Sequence, residues 1–306
     1  MDARTLFDAT DRLYQTTQKN FRVVECAGCG LIRLDPWPAA EELRSYYPDE
    51  YWFAPGEDTA SRLEETYRRF VLRDHLGFVL RAVADTSSEG PVLDVGCGGG
   101  LLLGMLQEHG LEVAGLETSR AAAATAWKQN RVRVICGDLE RAPVRRRSCR
   151  AVTMFHVIEH LPDPAAYLKS ARDLLAEDGR LVVQVPNAAS WQFQLFGAHW
   201  NGVDVPRHLV NYREQDLERL LERCGFAVVR RKHFSLRDNP AGFASSVAPG
   251  LDPMARRVRK VQESTGGKLA KDLVYFGLVL GALPFTWLEA ACGAGSTIMV
   301  EARKNT

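Results

Sequence analysis

Apolar and polar positions form two different patterns along this chain. From residue 91 onward, segments with one pattern alternate with segments with the other. Short continuous apolar runs predict buried strands, and apolar residues three or four positions apart predict amphipathic helices. The predicted strands are 91–95, 111–116, 131–135, 150–156, 180–185, 226–234 and 296–303, and the predicted helices are 100–109, 119–129, 164–176 and 213–224. This alternation predicts an α/β fold with a mainly parallel sheet covered by helices on both faces.

Two other segments depart from the alternation. The first 60 residues are rich in aromatic residues and proline, and they predict a small irregular module followed by a charged helix over 61–84. An uncharged stretch at 273–288 predicts a helical insertion, about 240–292, before the last strand. The predicted domains are an N-terminal module at 1–60, a linking helix at 61–90 and a main domain at 91–306.

Composition narrows the class of protein. Hydrophobic residues make up 46% and charged residues 25% of the 306 positions, as in soluble globular proteins. With a net charge of +1, the protein has no strong positive potential to attract nucleic acid. We therefore expect no nucleic-acid partner. Seven dispersed cysteines, and an N-terminus with no apolar run behind a basic start, lead us to expect a cytoplasmic protein.

The strongest local signal is a glycine-rich turn after the first strand of the main domain. Val92–Val95 runs into Gly96, Cys97, Gly98 and Gly100. Glycine lets the backbone turn tightly and approach a ligand closely. The dinucleotide fingerprint requires a third glycine at the sixth position, where this chain has Leu101. The turn therefore favours a nucleotide-type cofactor other than NAD or FAD.

Two acids follow at the ends of the next two strands. Glu117 ends the second strand, at a spacing suited to ribose hydroxyls, and Asp138 ends the third, where it could accept a hydrogen bond from an adenine amino group. Together with the turn, they describe a site for S-adenosylmethionine. Two alternatives remain at this point: a nicotinamide-dependent oxidoreductase on a similar sheet, and a protein that binds the cofactor without catalysis.

The fourth strand leads into a recognisable motif, His156-Val157-Ile158-Glu159-His160-Leu161-Pro162-Asp163-Pro164. With 179–187, 206–209 and Gly225-Phe226, it resembles class I S-adenosylmethionine-dependent methyltransferases of the group with an H-V-I-E-H-L-x-D-P signature. The resemblance implies a Rossmann-like, seven-stranded, doubly wound sheet. The cofactor contacts that we expect are Asp94, Gly96, Cys97, Gly98, Gly100, Glu117, Thr118, Asp138, Leu139, Phe155 and His156.

Methyl transfer to oxygen or carbon requires removal of a proton, and histidine is the first candidate for the base. His208 lies in a predicted loop beyond the fifth strand, and His156 lies at the end of the fourth. His160 is more typical of a residue that holds its loop. Our hypothesis is that His208 is the base, helped or replaced by His156, and that the acceptor is a small molecule.

Cys26 and Cys29 resemble one knuckle of a zinc ribbon, a module that related methyltransferases carry at the N-terminus. Zinc normally takes four ligands. No cysteine stands 15–20 residues upstream of Cys26, near Thr5–Thr10. The zinc-ribbon-like module is therefore incomplete, and no metal is expected in this chain. Two explanations stay open: the partner pair belongs before Met1, or this member has lost its metal.

A cluster of aromatic residues accompanies the two cysteines. It could form a lid over the acceptor or the core of a small module, and the second interpretation is the more common one. Its members are Trp37, Tyr46, Tyr47, Tyr51 and Trp52.

The uncharged segment 273–288 has basic residues before it. It is shorter than the ~20 residues of a membrane-spanning helix, and we expect Pro284 to interrupt it. The last strand should pair in the same sheet as 226–229, which excludes a single crossing of a membrane. Three interpretations stay open: a core helix pair, a dimer surface, and peripheral membrane contact through 256–288.

Overall fold

The structure is a computed structural model that describes residues 2–48 and 59–305. The chain forms two compact units, each assembled from separate stretches of sequence. The first comprises Met1–Tyr51, Pro186–Asp216 and Asp238–Ile298, and the second comprises Trp52–Val185, Leu217–Arg237 and Met299–Thr306. The domain limits at residues 60 and 90 stay a prediction.

The second unit is built on a seven-stranded sheet. Its strands in spatial order are β10 (Phe226–Lys232), β11 (Thr297–Lys304), β8 (Leu175–Pro186), β7 (Cys149–Phe155), β4 (Val92–Val95), β5 (Val113–Glu117) and β6 (Val134–Cys136). β4 pairs in parallel with both β5 and β7, while β10 and β11 pair antiparallel. The predicted fold class is confirmed, and the sheet places the carboxyl ends of β4, β5 and β6 along one edge.

Helices accompany the strands of this unit in the predicted order. They are α2 (Thr59–Val71), α3 (Arg73–Ala84), α4 (Leu101–Glu108), α5 (Arg120–Asn130), α6 (Pro164–Leu174) and α8 (Glu214–Arg223). The Ser119 hydroxyl caps α5 and the Asp163 carboxylate caps α6. The predicted helix over 61–84 is present as two helices, separated only at Leu72, whose φ of −85° and ψ of −4° stay right-handed.

The first unit contains a four-stranded antiparallel sheet, in the order β1 (Ala3–Ala9), β2 (Phe21–Cys26), β3 (Ile32–Asp35) and β9 (Val210–Asn211). The prediction of an irregular N-terminal module is therefore wrong. β1 is an edge strand with mostly exposed residues, and β9 comes from far along the chain. Neither strand produces a clear alternation of apolar and polar positions.

A buried ion-pair network connects distant segments of the first unit. The Arg207 guanidinium is fully buried and donates to Asp11 at 2.8 Å and to Asp204 at 2.7 Å. It also stacks over the ring of Tyr14, 4.5 Å from the centroid. Two carboxylates and an aromatic face compensate the burial of this one cation.

The remaining helices of the first unit include the predicted insertion. They are α1 (Ala40–Ser45), α7 (Trp191–Phe196), α9 (Asn239–Val247), α10 (Pro253–Val258) and α11 (Thr265–Ala291). The expectation that Pro284 interrupts the apolar segment is wrong, since α11 continues through it. Pro284 lies on the exposed side of α11. We infer that water can satisfy the carbonyl oxygen that lost its N–H partner there.

Candidate active site

The glycine turn joins β4 to α4 through backbone conformations that side chains rarely adopt. Gly96, Gly98 and Gly100 have φ of 73°, 53° and 72°. A Cβ atom on Gly96 would come within 2.8 Å of Val157, whereas a Cβ on Gly98 would meet nothing within 4 Å. The turn therefore needs glycine for its path and leaves open space beside Gly98.

Glu117 holds the glycine turn from the end of β5. One carboxylate oxygen accepts a hydrogen bond from the Gly98 N–H at 2.9 Å, and the other accepts from the Ser119 N–H at 2.8 Å. The Thr118 hydroxyl is 3.4 Å from the same carboxylate. Because a carboxylate has about four acceptor positions, these bonds leave capacity for a ligand hydroxyl. Sequence reasoning predicted the ligand contact but not the structural one.

Asp94 is buried on β4 near the turn. Its carboxylate accepts a hydrogen bond from the Thr153 hydroxyl of β7 at 2.6 Å. Burial raises the pKa of Asp94 to about 7, and the nearby charge of Glu117 adds to this rise while the Thr153 bond opposes it. Asp94 therefore changes protonation near neutral pH.

Asp138 follows β6, the next strand along the edge. Its carboxylate accepts from the Tyr167 hydroxyl of α6 at 3.2 Å. Burial, followed by the charge of Asp138, raises the pKa of Tyr167 to about 12, so this hydroxyl stays a donor. Leu139 is buried beside Asp138, at the start of a short 3₁₀ turn. A carboxylate and an apolar side chain thus lie where the adenine was expected.

Cys97 and Phe155, two further predicted cofactor contacts, differ in their side-chain surroundings. The half-buried side chain of Cys97 packs against the core, where it lies against Gly115 of β5. Burial raises the pKa of the Cys97 thiol, which keeps it protonated. Phe155 is half-buried at the end of β7, with its ring 5.1 Å from the ring of His75.

His156 is held by two polar side chains. Its backbone has φ of 56°, which is uncommon for a residue with a side chain. Ring atom Nδ1 is 3.2 Å from the Glu159 carboxylate, and Nε2 is 2.8 Å from the Gln184 amide nitrogen. An amide nitrogen donates, so Nε2 accepts and Nδ1 donates. Because both ring nitrogens are occupied, His156 suits positioning better than proton transfer.

His160 and His208 belong to different compact units. His160 closes the short 3₁₀ turn Ile158–His160 in the second unit, and its role in holding the loop stays a prediction. In the first unit, His208 Nδ1 is 2.9 Å from the Gly202 carbonyl oxygen, which can only accept. His208 therefore carries its proton on Nδ1 when neutral. Its Nε2, the atom that would accept a proton, lies 3.8 Å from the Asp204 carboxylate, which would stabilise the charged ring.

Sequence reasoning missed three side chains of this site: Thr153, Tyr167 and Gln184. Each bonds a predicted residue from a neighbouring element, namely Asp94, Asp138 and His156, respectively. Thr153 and Gln184 each interrupt a run of apolar residues, at 151–155 and 181–185, which is a usable signal. Tyr167 has no comparable signal in the sequence.

The residues present fit S-adenosylmethionine. Open space adjoins Gly98, an acid ends β5, another follows β6, and Leu139 supplies an apolar wall. On a seven-stranded sheet of this order, such an edge defines a nucleotide-type cofactor site at the carboxyl ends of the strands. Fold and site together define the class of S-adenosylmethionine-dependent methyltransferases.

Comparisons with known proteins agree with this class. A family model described as a methyltransferase domain matches residues 67–231, which is more than half of the chain, and the chain belongs to that family. A crystal structure of a SAM-dependent methyltransferase from Archaeoglobus fulgidus has the same fold, with a TM-score of 0.51 and 18% identity over 81% of this chain and 100% of that one. The class expected from the sequence is confirmed.

Two similar proteins are ubiquinone biosynthesis O-methyltransferases. The one from Coxiella burnetii is 30% identical over 130 residues, covering 40% of this chain and 56% of the relative. The one from Acinetobacter baumannii is 26% identical over 176 residues, covering 53% and 73%. This chain thus spans little more than half the length of the first of these relatives.

Proposed function

We propose that this protein transfers a methyl group from S-adenosylmethionine to an oxygen or carbon atom of a small-molecule acceptor. The observation that carries the proposal is the Glu117 carboxylate, which holds the glycine turn through Gly98 at the strand edge where Asp138 also lies. The two similar O-methyltransferases favour oxygen as the acceptor atom.

The roles that we propose follow the chemistry of each group. Glu117 would accept hydrogen bonds from the ribose hydroxyls, Asp138 would accept from the adenine amino group, and Leu139 would flank the base. S-adenosylmethionine supplies an electrophilic methyl group when bound. His208 would take the acceptor's proton on Nε2, while the Gly202 carbonyl keeps the ring in the required tautomer.

We further infer that the N-terminal module is a zinc-ribbon relative with an incomplete ligand set. Cys26 and Cys29 lie at the turn between β2 and β3, where backbone N–H groups of Cys29 and Gly28 point at the Cys26 sulfur and lower its pKa. Such N–H bonds to a thiolate are typical of a metal knuckle. Stoichiometric zinc in the purified protein, measured by elemental analysis, would overturn the inference that the set is incomplete.

Calorimetric titration tests the cofactor part of the proposal. We expect S-adenosylhomocysteine to bind with a 1:1 stoichiometry and NADH, titrated in parallel, to give no heat. Binding of NADH alone would instead support the oxidoreductase alternative. Binding of neither compound would contradict the proposed site.

The base is tested once an acceptor has been found by screening hydroxylated aromatic and sugar compounds. We expect His208→Ala to lower turnover about 10²- to 10⁴-fold, the range for loss of a general base, and to leave S-adenosylhomocysteine affinity unchanged. His208→Gln is the companion variant, since its side chain can still donate a hydrogen bond. Normal turnover by both variants would remove His208 from this role.

A further inference from the structure

One face of α11 exposes a continuous set of apolar side chains, which we term the apolar face. Each member has 45% to 66% of its surface exposed; the members are Leu269, Leu273, Val274, Phe276, Leu280, Trp287 and Leu288. At 1.5 Å per residue, the face extends about 30 Å along the helix. Isolated exposed apolar residues are ordinary, but a set of this length marks an interaction surface.

The opposite side of α11 anchors the helix within the first unit. Val279, Ala282 and Thr286 are buried there, and the ring of Phe285 lies 5.2 Å from that of Phe243 on α9. The Tyr275 hydroxyl is 2.9 Å from the Ser245 hydroxyl, also on α9. The orientation of α11 is therefore fixed by packing and hydrogen bonds, and the apolar face points away from them.

The apolar face has a basic end and no acidic counterpart. Residues 256–288 contain six arginines and lysines but only two acids, Glu263 and Asp272. Both acids are already paired with Arg256 in this segment. The exposed Lys268 lies in the first turn of α11, next to the start of the apolar face. The only other acid on α11, Glu289, is buried.

This distribution favours an anionic lipid surface over a second copy of the chain. A twofold-related copy would bring the same basic and apolar residues, with no exposed acid on α11 to pair with the lysines. Anionic headgroups supply that charge, and a bilayer accepts an apolar stripe flanked by lysine and ending near a tryptophan such as Trp287.

α11 has the length and apolar composition of a membrane-spanning helix, with a mean hydropathy of 1.5 over its most apolar window. The sheet argues against a crossing. β10 precedes the insertion and β11 follows it, and the two strands are antiparallel neighbours, with Lys232 paired to Met299. A single crossing would place these strands on opposite sides of the bilayer. The helix can therefore lie on a membrane but cannot pass once through it.

We propose that α11 docks the protein on anionic membranes, with the apolar face in the headgroup boundary and Lys268 against the lipid charges. The proposal is independent of the methyl-transfer reaction. It assigns the protein a peripheral position on a lipid surface.

Co-sedimentation of the full-length protein with vesicles tests the proposal. The vesicles contain phosphatidylcholine alone or with about 30 mol% phosphatidylglycerol. We expect the wild-type protein to bind the anionic vesicles and to be released by high salt. Leu273→Ser combined with Trp287→Ser should weaken binding at least about tenfold, and Lys268→Glu should weaken it about fivefold.

Trp127→Ser is the matched control, because Trp127 is 53% exposed on α5 of the second unit. It should leave vesicle binding unchanged. S-adenosylhomocysteine titration of every variant checks that the fold is intact without relying on the membrane. Equal binding to neutral and anionic vesicles would overturn the proposal. So would an absence of binding together with a dimer, measured by light scattering, that dissociates in the Leu273/Trp287 double variant.

Discussion

The carboxyl-terminal edge of the seven-stranded sheet buries charged side chains, whereas the apolar face of α11 exposes apolar ones. At the edge, the carboxylates of Asp94 and Glu117 are buried and held by hydrogen bonds from Thr153, Gly98 and Ser119. On α11, side chains such as Leu273 and Trp287 are exposed to solvent. Burying a charged group and exposing large apolar side chains both cost free energy, and the ligand and membrane surface that we propose would offset these costs.

The largest effect on cofactor affinity that we expect comes from Glu117→Ala, at the carboxyl end of β5. It leaves the N–H groups of Gly98 and Ser119 without their acceptor and removes the proposed ribose contact. Affinity for S-adenosylhomocysteine should fall about 100-fold, the effect of losing one or two hydrogen bonds to a charged group. Calorimetric titration measures the change.

Glu222→Ala, which removes an exposed carboxylate from α8, is the control and should bind as the wild type does. If Glu117→Ala proves unfolded by circular dichroism, Glu117→Gln replaces it, since its amide keeps one acceptor oxygen. Affinity within about twofold of wild type in a folded Glu117 variant would contradict the assigned role.

Asp94 should make folding depend on pH. Its pKa is raised to about 7, so between about pH 4 and pH 7 the folded protein retains a proton that the unfolded chain has lost. The contribution of Asp94 to stability is therefore present at low pH and is lost as the pH rises through 7. Asp94→Asn keeps an acceptor for Thr153 without the charge.

We therefore expect Asp94→Asn to be more stable than wild type by about 1–4 kcal/mol at pH 8 and to be equal to it near pH 4. Urea denaturation at the two pH values gives the free energies of unfolding. Glu222→Gln should show no such crossover, because that carboxylate is exposed. Parallel curves for wild type and Asp94→Asn would show that the Asp94 carboxyl is not kept protonated.

The smallest predicted effects are opposite in sign in the two regions. Gly100→Ala forces a side chain into a left-handed conformation with its Cβ 2.9 Å from Ala126, and it should destabilise the fold by about 1–2 kcal/mol. Gly277→Ala, where a Cβ on α11 meets nothing within 4 Å, should stabilise it by about 0.5–1 kcal/mol. Thermal unfolding compares the pair, and destabilisation by both would contradict the description of α11 as an exposed regular helix.

The sequence predicts more of the sheet and its cofactor site than of the contacts that hold the site together. The parallel strands can be predicted because burial on both faces gives them short apolar runs, such as Val92-Leu93 in β4 and residues 181–183 in β8. The glycine turn and its acids are readable because their spacing reflects one strand-turn-helix unit. Glu117 also accepts hydrogen bonds from the turn itself. This role depends on the loop conformation, which the spacing of the residues does not reveal.

Long-range pairing limits the prediction elsewhere. The residues of β1, which pairs with β2, are mostly exposed. β9 pairs with β3 although strands β4 to β8 lie between them in the sequence. The apolar stretch of α11 was recognised, but periodicity could not tell which of its sides would pack. The structure resolves this through Val279 and Ala282, which are buried, and through Pro284, which the helix tolerates on its outer side.

The two roles of Glu117, one structural and one in the proposed binding of the cofactor, have an evolutionary consequence. Because the same carboxylate secures the turn and faces the proposed ligand, selection for folding alone would preserve it. A descendant that had lost catalysis would still keep this acid and its glycines. Decay of the enzyme would instead begin at His208, because the hydrogen bonds that hold the glycine turn do not involve it. Inactive paralogues should therefore be sought by the identity of residue 208 rather than by the glycine motif.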